Sequence, residues 1–427
     1  MSRIILPAVV GTLSLITIPY TYAADAMTVA NAAAGVCDKT LSSASLVQQS
    51  IDRAKSTMSL NAIITLDEQG ALKAARQIDN AADADRCKPL AGVPVVVKDN
   101  IHVANLPSTA GTPALKDFVP GADAPVVAKL REAGAIVLAK TNMHELAFGI
   151  SGHNPAFHSG AEVGVRNAYN ANFVAGGSSS GTGAAIGARV VMAGLGTDTG
   201  GSVRIPCAFN GCASLRPTVG RYDNQAIAPI SQTRDTAGPM ALSVADVELL
   251  DRVISGSAAS TPAQLSGVRI GLVKELLANS DKDTLGVFES AIDQLTSAGV
   301  EIVELNAPEL LTLNAAVGFP VALYEAYDDM QSYLLKYDTG VTIEQLAANI
   351  VSPDVKGTYE GLVLPRKLPT PDNTLIDAQP VYESAIAEGL PALQAFYSNL
   401  FADNNVEAIV FPTVPVVAMS AGPGSSG

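Results

Sequence analysis

The chain reads as an α/β protein, a single large domain with a mostly parallel, twisted mixed sheet covered by helices on both faces. Three observations carry that reading. Short aliphatic runs alternate with helical periodicity, the pattern of strands buried on two sides. Charged residues make up 16% and hydrophobic ones 48% of the 427 residues, which excludes a disordered or coiled-coil chain. Gly (36) and Pro (25) are abundant, as many tight turns require. The length admits two or three domains, but no internal repeat or low-complexity linker divides it.

From the N-terminus, Met1-Ser2-Arg3 precedes an apolar run from Ile4 to Ile18 and small residues around Ala23-Ala24-Asp25-Ala26. One basic residue, a short apolar core and an Ala-x-Ala-like exit predict a signal peptide over 1–23, leaving a domain over 24–427. The run is too short to span a bilayer and is interrupted by Pro7 and Gly11. A periplasmic or secreted chain is therefore expected. Residues 41–80 carry helical periodicity, with Leu46, Val47, Ile51 and Ala54 on one face, and Ser59–Leu66 reads as a strand. Gly92–Lys98 is a β-branched strand, Ala124–Ala133 a helix and Ala135–Ala139 a second buried strand. Residues 154–172 form a long loop, followed by a Gly/Ser-rich block from Gly176 to Gly201. Val268–Val273 and Gly299–Leu305 are strands around a helix near Leu285–Ala298, Ala408–Phe411 is a last strand, and Ser255–Gln264 is a surface loop.

A net charge of −14 repels phosphate backbones and anionic lipid, so neither nucleic acid nor membrane is an expected partner. Monomer and homodimer stay open. Of four cysteines, a Cys37–Cys87 bridge is conceivable, whereas Cys207 and Cys212 in their hydrophobic stretch read as buried thiols.

The block that could carry chemistry is Gly176-Gly177-Ser178-Ser179-Ser180-Gly181-Thr182-Gly183 with Gly196-Thr197-Asp198-Thr199-Gly200-Gly201-Ser202-Val203-Arg204-Ile205-Pro206. A dinucleotide fingerprint fails because its third Gly is one residue late and no acidic residue follows at the required distance. A phosphate loop fails for want of a Lys. Gly177–Gly181 fits a nucleophile elbow, but the last His is His158, upstream of the block, where an α/β-hydrolase needs it downstream. No Ser has a Lys three residues later, and His144-Glu145 is followed at position 148 by Phe148 rather than a second His. His102, His144, His153 and His158 show no ligand spacing, and no metal or cofactor is expected. What remains is hydroxyl chemistry with Lys as base, which requires a desolvated amine. Lys98, after Val95-Val96-Val97, is a candidate, but on its residues alone it reads equally as a surface Lys just past a strand.

Both Gly-rich stretches, Leu215–Arg221, Lys140–Gly149 and Ile230–Met240 together resemble the amidase signature family, over about 41–414 and most closely between Gly92 and Asp246. Within it the chain is most similar to the indoleacetamide and mandelamide hydrolases. The resemblance implies the amidase signature fold and a serine amidohydrolase that cleaves a small carboxylic amide to carboxylate plus ammonia or amine through an acyl-enzyme. It places a Ser–cisSer–Lys triad on Ser202, Ser178 and Lys98, and the oxyanion hole on Thr199, Gly200, Gly201 and Ser202. Phe148, Gly149 and Ile150 align with a substrate-lining loop. Asp198 and Arg204 are expected to support the nucleophile loop, Ser179 to hydrogen-bond the triad and Ser180 to cap a helix. The C-terminal part is expected to be shorter than in relatives. The alternatives are a truncated, non-catalytic amide-binding homologue and an amidotransferase A-like glutaminase subunit.

Overall fold

Val95, Val96 and Val97 occupy successive strand positions, so their side chains alternate between the two faces of a sheet. All three are fully buried, and burying a Val stabilises by about 1.5 kcal/mol or more only if that face has a cover. The computed structural model, which describes residues 27–158 and 163–422, supplies one on each side. Strands β1 (Ile63–Leu66), β2 (Pro94–Lys98), β3 (Ile136–Thr141), β4 (Ala193–Asp198), β5 (Ala213–Ser214) and β6 (Thr236–Ala241) form one sheet in the order β1-β3-β2-β4-β6-β5. Val95 and Val97 share a core with helices Val29–Cys37, Pro125–Glu132 and Val244–Ser255. Val96 shares another with Ser43–Ser56, Glu68–Asp79 and Ser180–Gly187.

The sheet is mixed, and its parallel part is the centre, β3-β2-β4; β1, β6 and β5 add antiparallel towards the edges. The centre is also where every residue of β2, β3 and β4 is buried. A second sheet is wholly parallel. It joins β7 (Arg269–Val273) and β8 (Glu301–Leu305) to the late strand Ala408–Val410, after the hairpin Lys367–Pro369 with Leu375–Asp377. A 27-residue helix, Leu310–Lys336, sets Leu323, Met330 and Leu334 into a third core with Met143, Leu146 and Ile230. This core links the long helix to the loops at the C-terminal ends of the central strands.

Several expectations are corrected. The helical pattern over 41–80 is two helices, Ser43–Ser56 and Glu68–Asp79, separated by a tight turn at Met58–Leu60 and by β1. Asn61 adopts φ 52, which ends the turn, so the strand begins at Ile63 rather than Ser59. Cys37 and Cys87 are bridged. Cys207 and Cys212 are not separate thiols but a second disulfide, because the helix Arg204–Asn210 ends on left-handed Gly211 (φ 64) and the reversal brings their Cα atoms to 4.5 Å. The segment read as a signal peptide lies outside the described residues. Among the described residues no helix is long and apolar enough to cross a membrane.

Candidate active site

Alternation along β2 puts Lys98 on the face of Val96, beneath the helix Ser180–Gly187. The side chain is fully buried rather than at the surface, which resolves the ambiguity of its sequence context. Its Nζ lies 2.8 Å from Ser178 Oγ and 2.7 Å from Thr197 Oγ1. Thr197 comes from β4, the parallel neighbour of β2, so the two strand ends deliver amine and hydroxyl side by side. Burial pulls the Lys98 amine from 10.5 down to about 7, against Asp198 and Asp235, which pull it upward. A substantial neutral fraction therefore exists at neutral pH.

A cis peptide joins Gly177 to Ser178, as the resemblance implies. The helix beginning at Ser180 is buried along its whole length. It can lie against main chain because Gly181 has no Cβ; one would fall 2.2 Å from the Ala62 carbonyl oxygen. Ser179 N–H donates to the Ser202 carbonyl at 3.0 Å, tying the triple-serine turn directly to the Ser202 loop. The Ser179 hydroxyl exchanges 3.2 Å bonds with the main chain of Thr197 rather than with the hydroxyls of Ser178 or Ser202. Ser180, expected as a cap, is instead the first helical residue and donates its hydroxyl to the Ser178 carbonyl at 3.3 Å.

Ser202 is 8% exposed, and its hydroxyl makes no hydrogen bond to another described residue. Its loop is organised by Asp198 at the end of β4. The carboxylate accepts from Gly201 N at 2.8 Å, Val203 N at 3.2 Å, Arg204 Nε and Nη2 at 3.1 Å each, and Arg216 Nη1 at 2.9 Å. Burial pushes Asp198 up, but these partners outweigh it and hold the carboxyl below its usual range. Asp198 and Arg204 thus hydrogen-bond around the loop that carries Ser202. Of the expected oxyanion donors, Gly201 N–H is already committed to Asp198, whereas those of Gly200 and Ser202 have no partner among the described residues.

Sequence reasoning missed two supports. Asp235 accepts from Thr199 Oγ1 at 2.5 Å, Ile230 N at 2.7 Å and Ser231 N at 3.0 Å, while burial raises its affinity for a proton. Glu325, on the long helix, accepts from Ser231 Oγ at 2.5 Å, Thr233 N at 3.1 Å and Tyr382 OH at 3.1 Å. A carboxylate within the apolar run Leu323-Tyr324-Glu325-Ala326 is the one local signal that could have flagged it.

A cavity of about 140 Å³ adjoins the site, with Ala147, Ile227, Pro229 and Ile230 among its apolar walls and Asn100 and Thr197 among its polar groups. Larger hollows elsewhere include neither Thr197, which bonds Lys98, nor Thr199 of the Ser202 loop. Of the expected substrate loop, Phe148 packs its ring on Tyr359 at 5.2 Å, while Ile150 is 50% exposed. A Cβ on Gly177 would meet the Gly149 carbonyl oxygen at 2.8 Å, so the loop's main chain abuts the turn into Ser178. The histidines are structural in setting. His102, pulled down to about 4 by burial and by Lys140, lies 2.7 Å from the Tyr333 hydroxyl, and His144 lies 2.8 Å from Asp354. Among the described residues no group of three or more His, Cys, Asp or Glu could hold a metal ion.

Comparison with known proteins fits this geometry. A family model described as Amidase matches residues 45–425. The mandelamide hydrolase of Pseudomonas putida is 42% identical over 94% of this chain and 79% of its own length. The indoleacetamide hydrolase of Rhizobium radiobacter is 40% identical over 89% of this chain and 79% of its own. Among solved structures, the native peptide amidase of Stenotrophomonas maltophilia superposes with a TM-score of 0.71 at 28% identity, covering 96% of this chain and 89% of that one. A crystal structure titled simply as an amidase gives 0.77 at 29% identity, over 93% and 84%.

Proposed function

The chain belongs to the amidase family and is an amide hydrolase, and from that premise we propose that it cleaves small carboxamides with a compact apolar or aryl acyl group, using Ser202 as nucleophile, Ser178 as proton relay and Lys98 as base. The observation that carries this reading is the buried Lys98 amine, 2.8 Å from the Ser178 hydroxyl and brought to about 7.

A Ser hydroxyl attacks a carbonyl only as its proton leaves. Neutral Lys98 takes a proton from Ser178 as Ser178 takes one from Ser202, and Ser202 Oγ bonds to the carbonyl carbon. The negative charge that develops on the carbonyl oxygen is met by the unpartnered N–H groups of Gly200 and Ser202. Such donors are worth about 3 kcal/mol each. As the tetrahedral intermediate collapses, the relay returns a proton to the departing nitrogen, which avoids an amide anion. Water then takes the nucleophile's place and releases the acid from the Ser202 ester. The apolar walls at Ala147, Ile227, Pro229 and Ile230 suit a small hydrophobic acyl group, in keeping with relatives named for mandelamide and indoleacetamide. The two disulfides suit an oxidising compartment and support a periplasmic or secreted chain.

The test is ammonia release from phenylacetamide and indoleacetamide, with mass spectrometry of fluorophosphonate-treated protein. Release together with label on the peptide carrying Ser202 is expected. Silence across a broad amide panel would leave a non-catalytic amide binder, and label elsewhere would move the nucleophile.

A further inference from the structure

Thr199 is gripped at two points by one turn. Asp235 takes its hydroxyl at 2.5 Å, and the neighbouring Arg234 reaches its carbonyl oxygen with Nε at 3.4 Å and Nη2 at 3.3 Å. The guanidinium is fixed from its far side, where Nη1 donates to the carbonyl of Gly318 on the long helix. The turn that carries it is equally fixed. Arg234 N and Asp235 N both donate to the Ser231 carbonyl, at 3.0 and 2.7 Å, and Ser231 Oγ is held by Glu325 at 2.5 Å. Arg216 adds a brace, donating to the Arg234 carbonyl at 2.7 Å and to Asp198 at 2.9 Å. Arg234 is half-buried and lies beside Gly200, where a Cβ would be 3.8 Å from Nη2.

We propose that Arg234 is a positioning residue for the oxyanion hole, acting through the Thr199–Gly200 peptide; this rests on the amide-hydrolase reading of Ser202. A trans peptide is planar, and its C=O and N–H point in opposite directions. Holding the Thr199 carbonyl on the guanidinium therefore turns the Gly200 N–H away from Arg234. That N–H has no partner among the described residues, and with the Ser202 N–H it is a donor left free once Asp198 has taken Gly201 N–H. A cation on the carbonyl also polarises the peptide, so the N–H becomes a stronger donor to a developing negative oxygen. Glycine at 200 has no side chain to fix this peptide, so the constraint must come from outside. Arg234 touches no substrate atom in this scheme.

The test is the rate at which a fluorophosphonate labels Ser202, because the phosphonyl oxygen uses the same donors without requiring a known substrate. Arg234→Ala should label about 10- to 100-fold more slowly than wild type, a part of the loss seen when a whole oxyanion donor is removed. Guanidinium chloride at non-denaturing concentration should restore most of that rate. Arg234→Lys, which cannot fork two N–H groups onto one carbonyl, should recover little. On an amide that the wild type cleaves, kcat should fall while KM changes less than about twofold, as for a group acting mainly in the transition state. Wild-type labelling in Arg234→Ala overturns the proposal. So does a slow variant that guanidinium does not rescue and whose melting temperature falls in step, since that marks a merely structural residue. If the wild type takes no label at Ser202, the parent reading fails and the clamp with it; normal wild-type labelling alongside an unaffected variant removes the clamp alone.

Discussion

Lys98 and Lys140 stand on neighbouring parallel strands, with Val97 opposite Lys140 and Lys98 opposite Thr141, and neither has any exposed surface. Pleating sends them to opposite faces of the sheet. Lys140 Nζ meets the carbonyls of Asp99 at 3.2 Å and Pro107 at 3.1 Å, the Ser108 hydroxyl at 2.8 Å and the Asp99 carboxylate at 3.3 Å. Burial lowers its proton affinity, and Asp99 opposes this. Carbonyls and carboxylates can only accept, so this shell is made for an ammonium. Lys98 meets two hydroxyls, Ser178 and Thr197, each able to accept from an ammonium or donate to a neutral amine. Burial lowers the proton affinity of both lysines, and partners indifferent to charge suit Lys98 to the base role proposed for it.

The largest expected effects test that division directly. Lys98→Met and Ser202→Ala should each lower kcat by about 10⁴-fold or more with the fold retained by circular dichroism. Lys140→Met should instead cost about 3–5 kcal/mol in denaturant unfolding, because it strands the Asp99 carboxylate. A stable but inactive Lys140→Met, or an unfolded Lys98→Met, would break the comparison. Next comes pH. The rate should climb as pH rises through about 7, since the ammonium present below that value cannot take a proton from Ser178. The stopped assay for released ammonia across pH 5–9, a span of about four units around that value, checks it, and Lys98→Met should leave only a flat residual rate. A flat wild-type profile would remove Lys98 as base.

Smaller effects sharpen the contrast. Thr197→Val removes a hydrogen-bond partner that orients the amine in either charge state, so kcat should drop roughly 10-fold while the acid limb stays near about 7. Ser108→Ala, the matching change beside Lys140, should cost about 1 kcal/mol of stability and leave the pH profile in place. The smallest is no effect at all: EDTA should not change the rate, because the proposed proton transfers use only amine and hydroxyl groups.

Much of this was legible in the chain. The runs Val95–Val97 and Ile136–Ala139 read as buried strands because every position in them is aliphatic, and the later strands Arg269–Val273 and Glu301–Leu305 read from their shorter aliphatic centres. Others hid. Strand β6, Thr236–Ala241, carries Gly238 and Pro239, which argue locally against a strand, yet it pairs along the full length of β4. The helix Leu310–Lys336 contains Pro320 and turns no single apolar stripe outward, so periodicity did not mark it. The Cys207–Cys212 bridge depended on one left-handed glycine between a helix end and a strand.

Sequence alone determined the layered α/β class and, through the resemblance its motifs carry, pointed to Lys98, Ser178 and Ser202. Only the tertiary structure decided whether Lys98 is wet or dry, which N–H groups remain free beside Ser202, and that Asp235 and Arg234 reach the Ser202 loop from a distant turn that Glu325 holds. The reason is physical: alternation records which side chains face a core, but proton affinity and donor orientation depend on dielectric, charge and hydrogen bonds assembled from parts of the chain that share no local pattern.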